Sequence, residues 1–301
     1  MRQDIDLSSG RGEAMATAGG PTVRRRQLGS ELRRLREHAG MRIEDVATHL
    51  ECSMSKISRV ETGQAPIKAR DVRDLLQWYG VTDPVRVETV MQIHKDAQQQ
   101  GWWTHYAEVL PSGMATYAGL EADARVLRSY EPTFVHGLLQ TEEYARAVIA
   151  AVRPNEPQEV DQLVRFRKER QALLTRDPDP LELWVVIEES ALRRPVGGRE
   201  VMAAQLEHLI EATTLPNVTI QVMPTSKGAH AALSGTFSLL EFEPRTPTVV
   251  YVNSIAGNVY LEKERDVRTF IQTFDLVRAA APDPHDTAVT LERIAREMHA
   301  S

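Results

Sequence analysis

The stretch ECSMSKISRVETGQAP, residues 51–66, restricts what this chain can fold into more than any other. Its middle reads as a short helix with Ile57 and Val60 on one side and Ser55, Lys56, Ser58 and Arg59 on the other, closed by Thr62 and Gly63. Ser53 stands where an N-cap is needed, after a break at Glu51 and Cys52. Upstream, Leu28, Leu32 and Leu35 recur at helical spacing over 27–38 and stop at Gly40, and Val46, Ala47 and Leu50 mark a second short helix over 44–50. Helices over 69–79, with Val72, Leu75 and Leu76 inward, and over 84–100 continue the series.

Two short helices joined by a tight turn, the second presenting Met54, Ser55, Lys56, Ser58 and Arg59, have the logic of a DNA-reading helix-turn-helix. A helix of this size fits the major groove, where arginine can make two parallel bonds to guanine and serine can bond to several base edges. The bland alternative is a solvated face on an ordinary helical bundle. Net charge alone, −6, argues against nucleic acid, but it hides an asymmetry. Residues 1–80 carry 14 Lys and Arg against 11 Asp and Glu, a net of +3, and the remainder carries 22 against 31, a net of −9. A weakly basic module is attached to an acidic one.

A chain of 301 residues accommodates two domains. Residues 1–22 are small and polar without apolar period and are expected to be a flexible tail, with order beginning near Arg24. The helix-turn-helix domain is placed at 23–82, an aromatic-rich helical connector containing Trp102, Trp103 and Tyr106 at 83–112, and a second domain at 113–301. There helices fit 117–129, 141–151 and 158–176, and the first strand is expected around Trp184–Ile187, a continuous apolar run. A helix over 198–213, strands over 218–223, 236–241, 248–253 and 258–261, and helices over 263–280 and 286–299 complete a mixed α/β (α+β) second domain behind an all-α N-terminal bundle. No run reaches the ~18 apolar residues of a membrane span and no secretory signal is present, so a cytoplasmic protein without membrane contact is expected. The single cysteine, Cys52, excludes an internal disulfide framework and a cysteine-rich zinc site.

Residues 24–80, with LGSELRRLREHAGMRIEDVATHLECSMSKISRVETG, resemble the Cro/repressor-type (XRE-type) helix-turn-helix. The resemblance implies that Arg36, late in the first helix, pairs with Glu61 at the end of the recognition helix, and that Met54, Ser55 and Arg59 take base-reading positions. One departure is Ile43, where the family often has a Gln or Thr that touches phosphate. The stretches SYEPTFVHGLLQTEEYAR, RFRKERQALL, VVIEESALRRPVGG and NVTIQVMPTSKGAHAALSGTFSLLEF resemble the long C-terminal domain of actinobacterial, antitoxin-like regulators encoded beside a small partner protein. The combination implies a transcription regulator that binds double-stranded DNA. It is expected to act as a homodimer, because one recognition helix covers only a half-site.

In the second domain the sequence offers weaker candidates. Glu188 and Glu189 are either an acid–base pair or the point where a strand reaches solvent. The turn LRRPVGGRE, with Arg193, Arg194 and Arg199 at a helix N-terminus, is either an anion site or an ordinary strand-to-helix turn, and His230 lies in a Gly- and Ala-rich loop that a ligand site could use. Glu207, His208 and Glu211 lack a third ligand at metal-binding spacing, so no metal is expected. With no GxSxG, Walker or dinucleotide fingerprint, neither a cofactor nor enzymatic activity is expected. The second domain is expected to dimerise and to receive a small-molecule ligand or a partner protein. The rivals are an antitoxin-like protein whose main task is to sequester a small partner, and an enzyme fused to a helix-turn-helix.

Overall fold

The structure, a computed structural model, describes residues 21–98, 101–242, 246–254 and 257–300. Most of the expected tail, residues 1–20, and the end of the expected 84–100 helix lie outside these. The first domain consists of α1 (Pro21–His38), α2 (Ile43–His49), α3 (Met54–Glu61), α4 (Ala69–Trp78) and α5 (Pro84–Ala97). Its core is the set the periodicity marks: Leu28, Leu32, Leu35, Val46, Ile57, Val60, Val72, Leu75 and Leu76 are all buried. Local caps set the short helices. Asp45 Oδ2 accepts from the Arg42 amide at 2.7 Å at the start of α2, and Ser53 Oγ accepts from the Lys56 amide at 3.2 Å at the start of α3. Glu51, with φ 50°, makes the left-handed step between them.

Helix α1 corrects the expected start near Arg24, since residues 21 and 22 are already helical. The periodic stripe begins at Leu28 because only that part of the helix faces the bundle. The earlier turn belongs to the other domain: Val23 is buried in the core of the second domain. The Val23 amide donates to Asp123 Oδ2 at 2.8 Å, so a carboxylate from α6 (Met114–Asp123) serves the N-terminus of α1. Burial raises that carboxyl to about 6, against the pull of the Val23 and Thr22 amides. One helix is therefore shared between both cores.

Among the described residues six strands form one sheet in the order β3-β2-β1-β4-β5-β6. They are β1 (Val126–Glu131), β2 (Glu182–Glu188), β3 (Val218–Met223), β4 (Phe237–Glu241), β5 (Val249–Ser254) and β6 (Gly257–Leu261). Strands β1, β2 and β3 are parallel, and β4, β5 and β6 extend the sheet antiparallel from β1. The crossover from β1 to β2 carries α7 (Glu142–Val152) and α8 (Pro157–Gln171), and that from β2 to β3 carries α9 (Glu189–Leu192) and α10 (Arg199–Ala212). The chain closes with α11 (Glu264–Ala280) and α12 (Thr287–Ala300). One sheet face packs Leu127, Val185 and Ile220 against Leu206, Leu209 and Leu291 of α10 and α12, and the other packs Tyr130, Val186 and Val250 against Phe274 and Val277 of α11. An N-terminal helical region is thus followed by a mixed α/β domain with helices on both faces of its sheet.

Two expectations are corrected here. The helix expected over 117–129 ends at Asp123, and the following residues form β1, not a helical extension. The first strand of the domain is accordingly β1 and not β2. Strand β1 is central and buried yet carries Ser129 and Glu131 inward, which breaks the apolar signal. Ser129 Oγ donates to Glu131 Oε1 at 2.7 Å and lies 3.0 Å from Ser238 Oγ, partners supplied by the fold. In the connector, Trp102 and Tyr106 pack with Phe166 of α8, at ring separations of 5.4 Å each.

Candidate nucleic-acid interface

Helix α3 divides its residues by face. Ile57 and Val60 are buried, while Met54, Ser55, Lys56, Ser58 and Arg59 are all exposed. An exposed methionine, a lysine, an arginine and two serines on one short helix form a convex polar ridge of the width a major groove accepts. Ile43, at the start of α2, is half-buried against the bundle core and so contributes packing there.

The ridge is held at a fixed angle by a buried ion pair. Arg36 Nε donates to Glu61 Oε1 at 2.6 Å and Nη2 to Oε2 at 3.0 Å, with side-chain exposures of 10% and 7%. Arg36 Nη1 also donates to the Met41 carbonyl at 2.9 Å. The hydrogen bonds it donates to Glu61 hold the Arg36 guanidinium above its ordinary pKa, so it stays charged. A planar fork of this kind fixes direction as well as distance.

A second device was not visible in the sequence. Gly29 of α1 lies against the end of α3, where a Cβ would stand 2.5 Å from the Val60 carbonyl oxygen and 2.6 Å from that of Glu61. The clash is with backbone, which cannot swing away as a side chain can. Gly29→Ala should therefore destabilise by about 1–3 kcal/mol through overpacking, despite alanine's better helix propensity. Urea unfolding of the whole chain tests it, and an unchanged midpoint would mean that α1 can draw back without loss.

The second-domain candidates do not assemble into one site. Arg193 is engaged by Glu189 Oε1 at 2.7 Å and by Glu297 Oε2 at 2.6 Å, both carboxylates. Arg194 and Arg199 are exposed beside Gly197 and Gly198. His230 is turned toward Glu188, with Nε2 2.9 Å from Oε1, and Tyr130 also donates to that oxygen at 2.9 Å. Glu188 and Glu189 diverge because one ends a strand and the other begins a helix; Glu189 Oε2 accepts from the Thr225 amide at 3.1 Å. They form no acid–base pair. Among the described residues no group of three His, Cys, Asp or Glu side chains could hold a metal ion, and no helix is long and apolar enough to cross a membrane.

What sequence reading missed lies under α8. Arg170 is clamped on Glu121 by bonds of 2.6 and 2.7 Å with both side chains buried, and the Arg170 guanidinium lies 5.3 Å over the Tyr117 ring. Close by, Glu131, His136 and Arg167 border a small cavity. The RFRKER run that supplies both arginines has the look of a solvated charged helix, and no local spacing separates its buried members from its exposed ones.

The fold and the exposed ridge of α3 define a helix-turn-helix protein, and residues 27–89 match the model described as a helix-turn-helix domain. Residues 114–293 match the domain of unknown function DUF5753, and with most of its length so matched the chain belongs to that family. No curated protein and no solved structure significantly matches the chain.

Proposed function

We propose that the protein is a sequence-specific DNA-binding transcription regulator. In this reading α3 enters the major groove, a homodimer presents two such helices to a palindromic operator, and the second domain dimerises and receives a signal from a small ligand or partner protein. The observation that carries it is the exposed set Met54, Ser55, Lys56, Ser58 and Arg59 on a helix anchored by Ile57, Val60 and the Arg36–Glu61 pair. The helix-turn-helix match supports DNA binding.

The test separates the residue that reads sequence from the one that holds the backbone. Arg59 and Ser55 lie one turn apart on the same exposed side of α3. Arg59 offers two donors to guanine O6 and N7, so Arg59→Ala in the full chain should relax preference at one base pair by about 1–3 kcal/mol. Lys56 is a flexible point charge suited to phosphate. Lys56→Ala should weaken binding to all sequences alike and lower the slope of log K against log salt by about 1. Binding-site selection with each variant reads both effects, and an unchanged preference in Arg59→Ala would show that α3 is not the reader.

A further inference from the structure

At the carboxyl end of β1, where the sheet changes from parallel pairing with β2 to antiparallel pairing with β4, lies a cavity of about 110 Å³ bordered by Glu131, Phe134, His136, Arg167, Arg170 and Tyr251. Crevices at this place in open α/β sheets are where ligands are accommodated. Three of its polar groups have bonding capacity that the protein leaves unused. His136 is 4% exposed; its Nδ1 accepts from the Leu138 amide at 3.3 Å, which puts the ring proton on Nε2, and Nε2 has no partner among the described residues. Arg167 donates through Nη1 to the neutral Gln140 Oε1 at 2.5 Å, and its Nε and Nη2 have no partner there. Arg170 spends Nε and Nη2 on Glu121, while Nη1 faces Gly137, whose missing side chain leaves the approach open.

The charge pattern selects the ligand. Arg170 is neutralised by Glu121, but Arg167 has no carboxylate partner among the described residues. Burial, then the charges of Arg170 and Arg167, push His136 down to about 3, so it is a neutral donor. Glu131 already accepts from Ser129 and Thr236, and burial lifts it to about 7. One unbalanced guanidinium beside a carboxyl that shares a proton suits a single negative charge and disfavours a dianion. The volume, set against ~150 Å³ for a cavity that takes the six carbons of benzene, admits about four or five non-hydrogen atoms.

We propose that this cavity binds a small monocarboxylate, its carboxylate held by the free N–H groups of Arg167 and by His136 Nε2–H, with its short apolar body against Phe134. The site deepens the regulator reading by giving the signal-receiving domain a place for its ligand, and it rests on that reading for its purpose. Tyr117 and Tyr251 meet at a tilt with centroids 4.2 Å apart beside the cavity, Tyr251 meets Tyr260 at 5.4 Å, and Arg26 of α1 lies 5.7 Å over Tyr260. A packed row of rings thus joins the cavity to the helix that carries Arg36.

Saturation-transfer NMR on the full chain, titrated with sodium propionate at constant ionic strength, tests the proposal. Saturable transfer is expected from propionate, at least tenfold weaker binding in Arg167→Gln, a comparable loss in His136→Ala, and no displacement by equimolar inorganic phosphate. Far-UV circular dichroism of both variants checks their fold, and either one alone decides the matter if the other unfolds. Absence of saturable transfer, an unchanged Kd in the folded variants, or displacement by phosphate would overturn the assignment. No DNA enters this measurement, so its failure leaves the DNA-binding reading standing. A chain that takes propionate but never retards DNA would count against that reading alone.

Discussion

Glu61→Ala should lower the stability of the helix-turn-helix by about 3–5 kcal/mol, the usual cost of leaving one member of a buried ion pair without its partner. Glu61 satisfies two of the Arg36 donors, and once it is gone the guanidinium keeps the Met41 carbonyl and the half-exposed Glu37 carboxylate, 3.6 Å away and too far for a hydrogen bond. The loss also frees the end of α3 from α1. DNA affinity should therefore fall with stability, although Glu61 is buried and on the opposite side from the exposed ridge. Glu61→Gln keeps one acceptor and gives up the charge, so it should fall between the two. Urea unfolding with paired gel-shift titrations measures both consequences. A midpoint within error of the parent chain would mean that water reaches Arg36 and that the pair does not fix the helix angle.

In the second domain, Glu121→Ala should cost at least as much, about 3–5 kcal/mol, because this pair is buried more deeply: 0% side-chain exposure for Glu121 and 4% for Arg170. Tyr117 and Phe166 surround the guanidinium with ring faces, 5.3 and 5.7 Å away, which soften the charge but supply no hydrogen-bond acceptor. Replacing both partners, as Glu121→Leu with Arg170→Met, should recover most of the loss, since the desolvation of two charges disappears together with their attraction. Chemical unfolding of the single and double variants forms a closed cycle. If the double variant were as unstable as Glu121→Ala, the pair would owe its effect to shape rather than charge.

Much of this architecture is written in local pattern. The stripe of Leu28, Leu32 and Leu35, the Ser53 cap and the two-sided character of α3 each depend on residues within a turn or two of one another, and all stand where the spacing predicts. The apolar run of β2 and strand β3 over 218–223 are equally plain, because most of their side chains are apolar and buried by kind; Gln221, bonded to Trp184 Nε1 and to the Arg278 and Pro282 carbonyls, is an exception the pattern tolerates. The exposed ridge was legible for the same reason: polar residues at helical spacing opposite Ile57 and Val60 have only one direction to face.

Only the tertiary structure decided the rest, wherever a polar or charged group is buried and its partner comes from far along the chain. Strand β1 reads as helix because Ser129 and Glu131 interrupt its apolar character, and their acceptors and donors, Ser238 and Thr236, sit on and beside β4. The first turn of α1 draws on a distant partner, since Asp123, 100 residues away, accepts from the Val23 amide. Arg167 and Arg170 look like surface arginines until α6 brings Glu121 beneath one and the chain after β1 brings His136 beside the other. Burying a charge is costly unless a partner meets it, and that meeting is a property of the packed fold that no stretch of sequence contains.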